Sequence, residues 1–577
     1  LYVAIPAALP VTVLLALHGP LLVTGWFHFD DLYIFRQVNQ YGIVPHFFQP
    51  AVWLNFSSVN FAPWTLLSNG VDFYLFGLQP WGHFAHHLTS LIVVIALAYA
   101  VLARFWHPWA VALALSALVL SPPLADLAQT LSLRHYLEGM GLMLVGFLGF
   151  HLACEQQRGW PALWGALAYF GACLAKEIYV PLVLALLFMP NAGGSPLASG
   201  WRGIRRPWAT LTNPAESVRY WLPFALAATL YTAWRLAMLH GQAANAYGAA
   251  APPLRWADIG QLPAVLTTTL VPPTNLLAAS ALVLGLAGLL LAAAGAVASQ
   301  GKKWQSPRAM TALVWLGLAI APILPVLPIL RATPTPRYLL MLVWLLCLAI
   351  AWAMHACLSS HVLGWKRVGL AAMAMLLAAM AYALHASPVW QERALFPRYR
   401  AEGELLLYGQ GQDTLVLDPL GVSFHLWSLM ALREEFLHQP PGPLAFYDAC
   451  LSGPTPTQTT RFADGVWQRE PFTPPPCQAQ PQQPLTLRIT ARGRVFHWAF
   501  GPYSEGRYTI FVLADDSDTI QVRTLDFYRE AHFPFVFLRP TRFIVRYTSP
   551  QGWYTDSPPW RFDPAHTDTA GQVVYHR

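Results

Sequence analysis

The feature that most constrains this chain is a series of about ten apolar stretches, each close to the ~20 residues a helix needs to cross a bilayer. They fall at 3–24, 88–104, 109–124, 134–153, 161–189, 219–239, 275–299, 309–330, 338–358 and 368–386. In hydrocarbon every backbone N–H and C=O must be satisfied within the segment, so runs of this length fold as membrane helices. Composition agrees: only 11% of the 577 residues are charged, against about 25% in soluble domains. A soluble enzyme is thereby excluded, and membrane lipid is an expected partner. The net charge of +7 is dispersed over loops with no polybasic block, so nucleic acid is not an expected partner. The chain starts at Leu1, so a short preceding piece is expected. The first run, Val3 to Val23, lacks a small-residue cleavage site and reads as a retained span.

Loop charge sets the expected orientation. Basic residues gather at Arg104 and His107, at Arg158, at Arg202, Arg205, Arg206 and Arg219, at Lys302, Lys303 and Arg308, and at Lys366 and Arg367. The positive-inside rule assigns these loops to the cytoplasm. The loops with Asp30 and Asp31, with Asp126, and at 241–274 and 331–337 then lie outside. The loops around Arg158 and Arg202 share a side, so the chain between them crosses an even number of times. Stretch 161–189 is long for one helix, and Lys176-Glu177 interrupts it. A hairpin of two short helices with this pair at its outer tip resolves the parity and gives about eleven membrane segments.

Past residue 387 the long apolar runs end. The stretch 391–450 reads as a strand at 413–418 and a helix at 423–437, and the Pro-rich segment 440–484 as irregular linker. From 485 on, short alternating runs at 485–490, 508–513, 519–524 and 543–547 read as antiparallel strands of a sandwich-like domain. Three units follow: a transmembrane domain at 1–387, a connecting region at 388–484 and a mainly-β extracytoplasmic domain at 485–577. Cys154, Cys173, Cys347 and Cys357 sit in or beside apolar runs as small apolar residues. Cys450 and Cys477 lie in the polar part, where a disulfide is open to an extracytoplasmic chain. No Cys or His spacing fits a zinc site.

Ionisable groups in or beside spans are costly and often functional. On the outer side they include Asp30, Asp31, His83, His86, His87, Asp126, Arg134, His135, Glu138, Lys176, Glu177, Arg331 and Arg337. Carboxylates suit proton abstraction from a hydroxyl. Arg and Lys suit a departing phosphate. Together they describe group transfer from a lipid phosphate to a hydroxyl at the membrane surface. Plainer roles stand beside this one. The acidic pair also fits a helix N-cap. Arg134 and Glu138, four apart, also fit a helix ion pair. The three histidines also fit interfacial packing.

The residues resemble a family pattern. Phe29-Asp30-Asp31 follows the first span. Phe61-Ala62-Pro63-Trp64 comes next, and Phe76 to His83 leads into the second span. Ser132-Leu133-Arg134-His135-Tyr136, Ala175-Lys176-Glu177 and Arg337-Tyr338 complete the series. In order and spacing these resemble the C-type glycosyltransferase superfamily (GT-C), and within it the protein O-mannosyltransferases and their bacterial relatives, over residues 1–386. The resemblance implies a polyprenyl-phosphate sugar as donor, an extracytoplasmic site and inverting displacement at the anomeric carbon. It makes Asp30 the candidate base and Asp31 a second acid that orients acceptor or base. Arg134, Lys176 and Arg337 become candidate ligands of the donor phosphate. His83, Glu177 and Tyr338 become candidate acceptor or sugar contacts. The donor serves in place of a cofactor, and no metal is predicted. A secreted protein or envelope glycan is the acceptor class, and a bacterial inner membrane the expected location.

Other classes stay open at this level: an oligosaccharyltransferase with a lipid-pyrophosphate donor and a divalent metal, a transporter, or a non-catalytic membrane subunit. Transporters often show repeated halves, which this chain lacks. Whether Asp30, Arg134, Lys176 and Arg337 meet around one cavity discriminates among these readings.

Overall fold

The computed structural model describes residues 4–28, 30–57, 60–186, 214–239, 276–299, 316–318, 320, 323 and 336–409. In the C-terminal part it describes 415–417, 424–439, 444–446, 458–463, 466–471, 473, 483–492, 495–503, 505–513, 520–527, 530–533, 541–551, 553–562 and 572–575.

Among the described residues, six helices are long and apolar enough to cross a membrane: Ile5–Thr24, Pro80–Leu102, Leu131–Gln156, Ala279–Ser299, Pro336–Leu358 and Leu363–His385. The pair Pro108–Val119 and Pro122–Gln129, bent by 64°, makes a seventh if taken as one broken span. The chain is an integral membrane protein. The expected eleven segments exceed these, and most of stretch 309–330 and the residues after 186 in stretch 161–189 lie outside the described residues. The helices used below are α1 (Ala4–His18), α2 (Asp31–Tyr41), α3 (Trp64–Phe76), α4 (Pro80–Leu102), α5 (Pro108–Val119), α6 (Pro122–Gln129), α7 (Arg134–Gln156), α8 (Gly159–Ala175), α9 (Pro214–Met238), α10 (Leu276–Ser299), α11 (Leu340–Leu358) and α12 (Leu363–His385).

Aliphatic side chains on both faces explain why these helices bundle as they do. Leu163 and Leu167 of α8, Leu226 and Leu230 of α9, and Val283 and Leu291 of α10 are exposed, as on a lipid-facing surface. Trp81, Trp109 and Trp160 stand exposed near helix starts, a position suited to the membrane interface. Inside, small residues let backbones approach. A Cβ on Gly149 of α7 would meet Pro161 O at 2.6 Å and Gly165 Cα of α8 at 2.7 Å.

Two breaks shape one end of the bundle. Pro122 and Pro123 follow Ser121, whose Oγ accepts from Leu124 N, so α5 stops and α6 starts in a new direction. With only 17 residues, α8 spans about 26 Å at 1.5 Å per residue. It ends at Lys176, whose backbone is extended (φ −160°, ψ 138°), before a 3-10 turn at Glu177–Leu182. The interruption expected at Lys176-Glu177 is therefore present. At the opposite end of the bundle, His107 N donates to His355 Nδ1 of α11.

After α12 the chain does not leave the bundle. It continues as Pro388–Gln391, a 3-10 turn at Glu392–Leu395, α13 (Phe396–Tyr408) and α14 (Phe424–Glu435). Gly403 sits so close to Trp26 that a Cβ would meet Nε1 at 2.4 Å, and Arg36 pairs with Glu435 at 2.9 Å. Residues 388–435 and the Asp30 loop thus share one end of the bundle. Strands β1 (Leu415–Leu417) and β2 (Leu444–Phe446) pair in parallel with α14 between them in sequence. β3 (Gln458–Ala463) and β4 (Val466–Pro471) form a hairpin.

The strands expected after 485 appear as β5 (Thr486–Arg492), β7 (Arg507–Leu513), β8 (Ile520–Phe527) and β10 (Thr541–Thr548). With β6 (Val495–Gly501), β9 (Glu530–Phe533), β11 (Tyr554–Asp556), β12 (Trp560–Phe562) and β13 (Gln572–Tyr575) they form two antiparallel sheets. One has the order β11-β10-β7-β8 with β12 on β10, the other β13-β5-β6-β9. Cys450 and Cys477 lie outside the described residues, and the four described cysteines are free.

Gly149→Val should force α7 and α8 apart. Overpacking of this kind costs about 1–3 kcal/mol. The thermal midpoint of the detergent-solubilised protein should fall, and an unchanged midpoint would show that the contact is not tight.

Candidate active site

The acidic pair splits into two roles. Asp31 is 1% exposed, and each of its oxygens takes a backbone amide: Oδ2 from His28 at 3.0 Å and Oδ1 from Ser132 at 2.6 Å. Burial raises its carboxyl to about 7 against the pull of these amides. Asp31 therefore joins the loop after α1 to the turn before α7 and has no oxygen free for an acceptor. Asp30 occupies the cap position of α2, yet its side chain makes no capping hydrogen bond. It is solvent-accessible. Burial raises its carboxyl above the usual carboxylate range, and the charges of Arg337, His28 and Lys176 act against that rise. These groups therefore lie around Asp30.

The bend at Ser121 sets the next wall. It turns α6 so that Asp126 faces the start of the α11 span. Asp126 Oδ2 accepts the Arg337 backbone N–H at 3.1 Å and lies 3.8 Å from Arg337 Nη1. Arg337 also stands over the ring of Tyr338 at 5.4 Å. Lys176 places its ammonium 5.0 Å from the ring centre of Tyr136. Among the described residues the Lys176 side chain has no hydrogen-bond or ion-pair partner, and neither has Asp30. Tyr136 and His28 also belong to this cluster without having been expected there, and Asp126 was expected only as an ionisable residue on the outer side. The Pro-Pro break ahead of Asp126 was the available signal for one of them.

Other expected residues lie elsewhere. Arg134 is fully buried: Nε donates to Ser68 Oγ at 2.9 Å, Nη1 to Asp72 Oδ2, and Nη2 to Asn69 Oδ1 at 3.3 Å, with Glu138 Oε1 3.5 Å from Nε. Glu138 also accepts from Trp64 Nε1 at 2.7 Å and Ser68 Oγ at 2.8 Å, and His86 Nδ1 lies 2.7 Å from Asp72 Oδ1. The guanidinium is thus committed to tying α3 to α7, fully buried among these acceptors. The helix pair with Glu138 is one strand of this network. His83 is equally buried, with Nε2 2.9 Å from Gly77 O and its ring packed among Phe27, Phe35 and Phe76, away from any solvent-open surface. Glu177 Oε1 is taken by Phe61 N at 2.9 Å and Arg235 Nε at 2.7 Å, so it pins α9 and the 61–64 segment. Of the expected set, Asp30, Lys176, Arg337 and Tyr338 come together. Asp31, Arg134 and Glu177 are each held in hydrogen-bond networks of their own, and His83 belongs to that of Arg134, its Nδ1 3.8 Å from Asp72 Oδ2 and its carbonyl oxygen 3.4 Å from Arg134 Nη1. Among the described residues no group of three His, Cys, Asp or Glu is placed to hold a metal ion.

No protein-family model matches the chain, and no curated protein sequence matches it. Among solved structures, ArnT from Cupriavidus metallidurans bound to undecaprenyl phosphate is similar, with 14% identity, TM-score 0.39, and 77% of this chain and 85% of that one covered. The same protein in its apo state has 14% identity, TM-score 0.40 and the same coverage. Arabinosyltransferase EmbB from Mycobacterium smegmatis has 12% identity and TM-score 0.34, with 98% of this chain and 62% of that one covered. Likeness this loose leaves the function to be argued from the site.

Arg134→Ala would leave Asp72 and Glu138 buried without their cation. Breaking a buried ion pair from one side costs about 3–5 kcal/mol. Arg134→Lys should also destabilise, because an ammonium cannot reproduce the planar fork. Both should lower the thermal midpoint more than Lys176→Ala does. An Arg134→Lys protein with an intact midpoint that has lost lipid-phosphate binding would return Arg134 to the phosphate site.

Proposed function

We propose that this chain is a GT-C type glycosyltransferase that moves a sugar from a polyprenyl-phosphate donor to a hydroxyl of a secreted protein or envelope glycan, with inversion, on the extracytoplasmic side. One observation carries the reading: Asp30 and Lys176, whose side chains have no hydrogen-bond or ion-pair partner among the described residues, lie within reach of each other's charge and of that of Arg337. A half-buried lysine with no acceptor among its neighbours is costly unless an anion arrives to meet it. The order of motifs that resembles the superfamily supports the same reading.

The chemistry follows from the placement. The Asp30 carboxylate takes the proton of the acceptor hydroxyl as that oxygen attacks the anomeric carbon. The bond from that carbon to the phosphate oxygen breaks, and polyprenyl phosphate leaves with the electron pair. Lys176 and Arg337 meet the growing negative charge, which strengthens their hold in the transition state relative to the bound donor. Tyr136 and Tyr338 lie against the two cations and orient them through their ring faces. Asp126 holds Arg337 in place from the opposite side.

The test uses purified protein in nanodiscs with synthetic polyprenyl-phosphate monosaccharides. Polyprenyl phosphate should raise the thermal midpoint of the wild type, and Lys176→Ala should abolish the rise. Asp30→Asn should lower polyprenyl phosphate release by roughly two to four orders of magnitude, the usual contribution of a positioned base. The base must be ionised, so activity falls as pH drops through the Asp30 pKa. Burial raises that pKa, so the acid limb of kcat/KM should lie above that of an exposed aspartate and disappear in Asp30→Asn. A wild type neither stabilised by polyprenyl phosphate nor releasing it would sink the reading.

A further inference from the structure

Lys176 ends α8 on an extended backbone, and its flexible four-carbon stem gives the ammonium no fixed direction of its own. The chain around it is fixed instead. Its N–H donates to Ala172 O at 3.0 Å, and its carbonyl accepts from Tyr179 N at 3.2 Å. The side chains of Lys176 and Glu177 leave the chain in different directions. That of Lys176 goes to the ring of Tyr136 on α7, and that of Glu177 to Phe61 and α9.

The Glu177 side is built from α9. Glu177 Oε1 accepts from Arg235 Nε at 2.7 Å and from Phe61 N at 2.9 Å. One turn before Arg235, Tyr231 Oη donates to Phe61 O at 2.7 Å. Both backbone polar groups of Phe61 are therefore taken, one through Glu177 and one directly by α9. Three residues on, Trp64 Nε1 donates to Glu138 Oε2 of α7 at 2.7 Å. The segment 61–64 is thus a strut between α9 and α7. Tyr179 Oη closes the α7 side by donating to the backbone oxygen of Tyr136. The contacts form a circuit: Lys176 to Glu177, Glu177 to the strut, the strut to α7, and α7 back to Lys176 through Tyr136. Arg235 carries the countercharge of Glu177 in it. Its side chain is 12% exposed and that of Glu177 21%, so the pair is largely shielded from water and costly to break from one side.

We propose that Arg235 is a positioning residue for the donor-phosphate site: by holding Glu177 it fixes the turn that aims Lys176 at the phosphate, and it touches neither donor nor acceptor. The proposal rests on the glycosyltransferase reading and deepens it. It assigns α9 and the Phe61-Ala62-Pro63-Trp64 segment to the placement of a phosphate ligand that neither of them carries.

The experiment compares wild type, Arg235→Met, Arg235→Lys, Glu177→Gln and the double variant Arg235→Met with Glu177→Gln, in nanodiscs. Three readouts are taken: the Kd for polyprenyl phosphate, kcat for its release from a polyprenyl-phosphate monosaccharide, both below the lowest thermal midpoint, and the midpoint itself. Arg235→Met should lower the midpoint, raise Kd roughly tenfold and cut kcat roughly tenfold to a hundredfold, the scale expected when a catalytic group is displaced by about an ångström. Arg235→Lys keeps a cation opposite Glu177 and should recover most of both losses. Glu177→Gln keeps an oxygen for Phe61 N and loses only the ion pair, so its Kd and kcat should match those of Arg235→Met. The double variant should be no worse than Arg235→Met, because the two residues act as one unit. A lowered midpoint with Kd and kcat within about twofold of wild type in Arg235→Met and Glu177→Gln shows a structural role alone and overturns the proposal. Losses that multiply in the double variant overturn it too, as does a fall in kcat with Kd unchanged. If Arg235→Met does not fold, Glu177→Gln and Arg235→Lys decide by the same criteria. A wild type that neither binds nor releases polyprenyl phosphate overturns the underlying reading instead.

Discussion

Asp31 closes the bond on which the site depends. Its two oxygens take amides from His28 and Ser132, two points about a hundred residues apart in sequence that otherwise belong to separate loops. Hydrogen bonds to a charged group contribute about 1.5–3 kcal/mol each, and more is lost when a buried amide is left without a partner. With Asp31 turned inward, its neighbour Asp30 is left solvent-accessible. The same tie places the start of α7, so that Tyr136 comes under Lys176. One residue of the pair builds the wall and the other faces what the wall encloses.

The ionic groups of the bundle separate by the same logic. Arg134 is surrounded by Asp72, Asn69, Ser68 and Glu138, which engage all three nitrogens of its guanidinium. Such a network is sustained because each member is satisfied, and it fixes α3, α4 and α7 against one another. Lys176 and Asp30 stand in the opposite condition, accessible and, among the described residues, without a hydrogen-bond or ion-pair partner for their side chains. Burial with full pairing marks scaffold, while an accessible charge without a hydrogen-bond partner leaves room for the donor phosphate of the proposed function. Arg337 is intermediate: Asp126 holds its backbone and one edge of its fork, and its charge reaches Asp30.

The chain after the last described span shows how far a helical bundle depends on its appendages. Pro388 to Glu435 carries no long apolar run, yet it is bound to the bundle by Arg393, by Gly403 against Trp26 and by Arg36 with Glu435. These contacts join parts of the chain separated by more than 370 positions. They close the end of the bundle where Asp30, Asp126 and Arg337 gather.

The sequence by itself determined the parts governed by local physics. Runs of apolar residues make membrane helices whatever surrounds them, because unpaired backbone groups cannot remain in hydrocarbon. The spans at 3–24, 134–153, 275–299, 338–358 and 368–386 were legible for that reason, as was the interruption at Lys176. Asp30, Lys176 and Arg337 were legible as ionisable residues at span ends, where charge is kept only for a purpose. What only the tertiary structure decided is which charge meets which. Asp30 and Asp31 are indistinguishable as neighbours in sequence, and only the position of Ser132 turned one inward. Arg134 reads like Arg337 until Asp72 and Glu138 are seen around it. Charge pairing acts across space and between elements far apart in the chain, so its outcome is written in the packing and not in the spacing of residues.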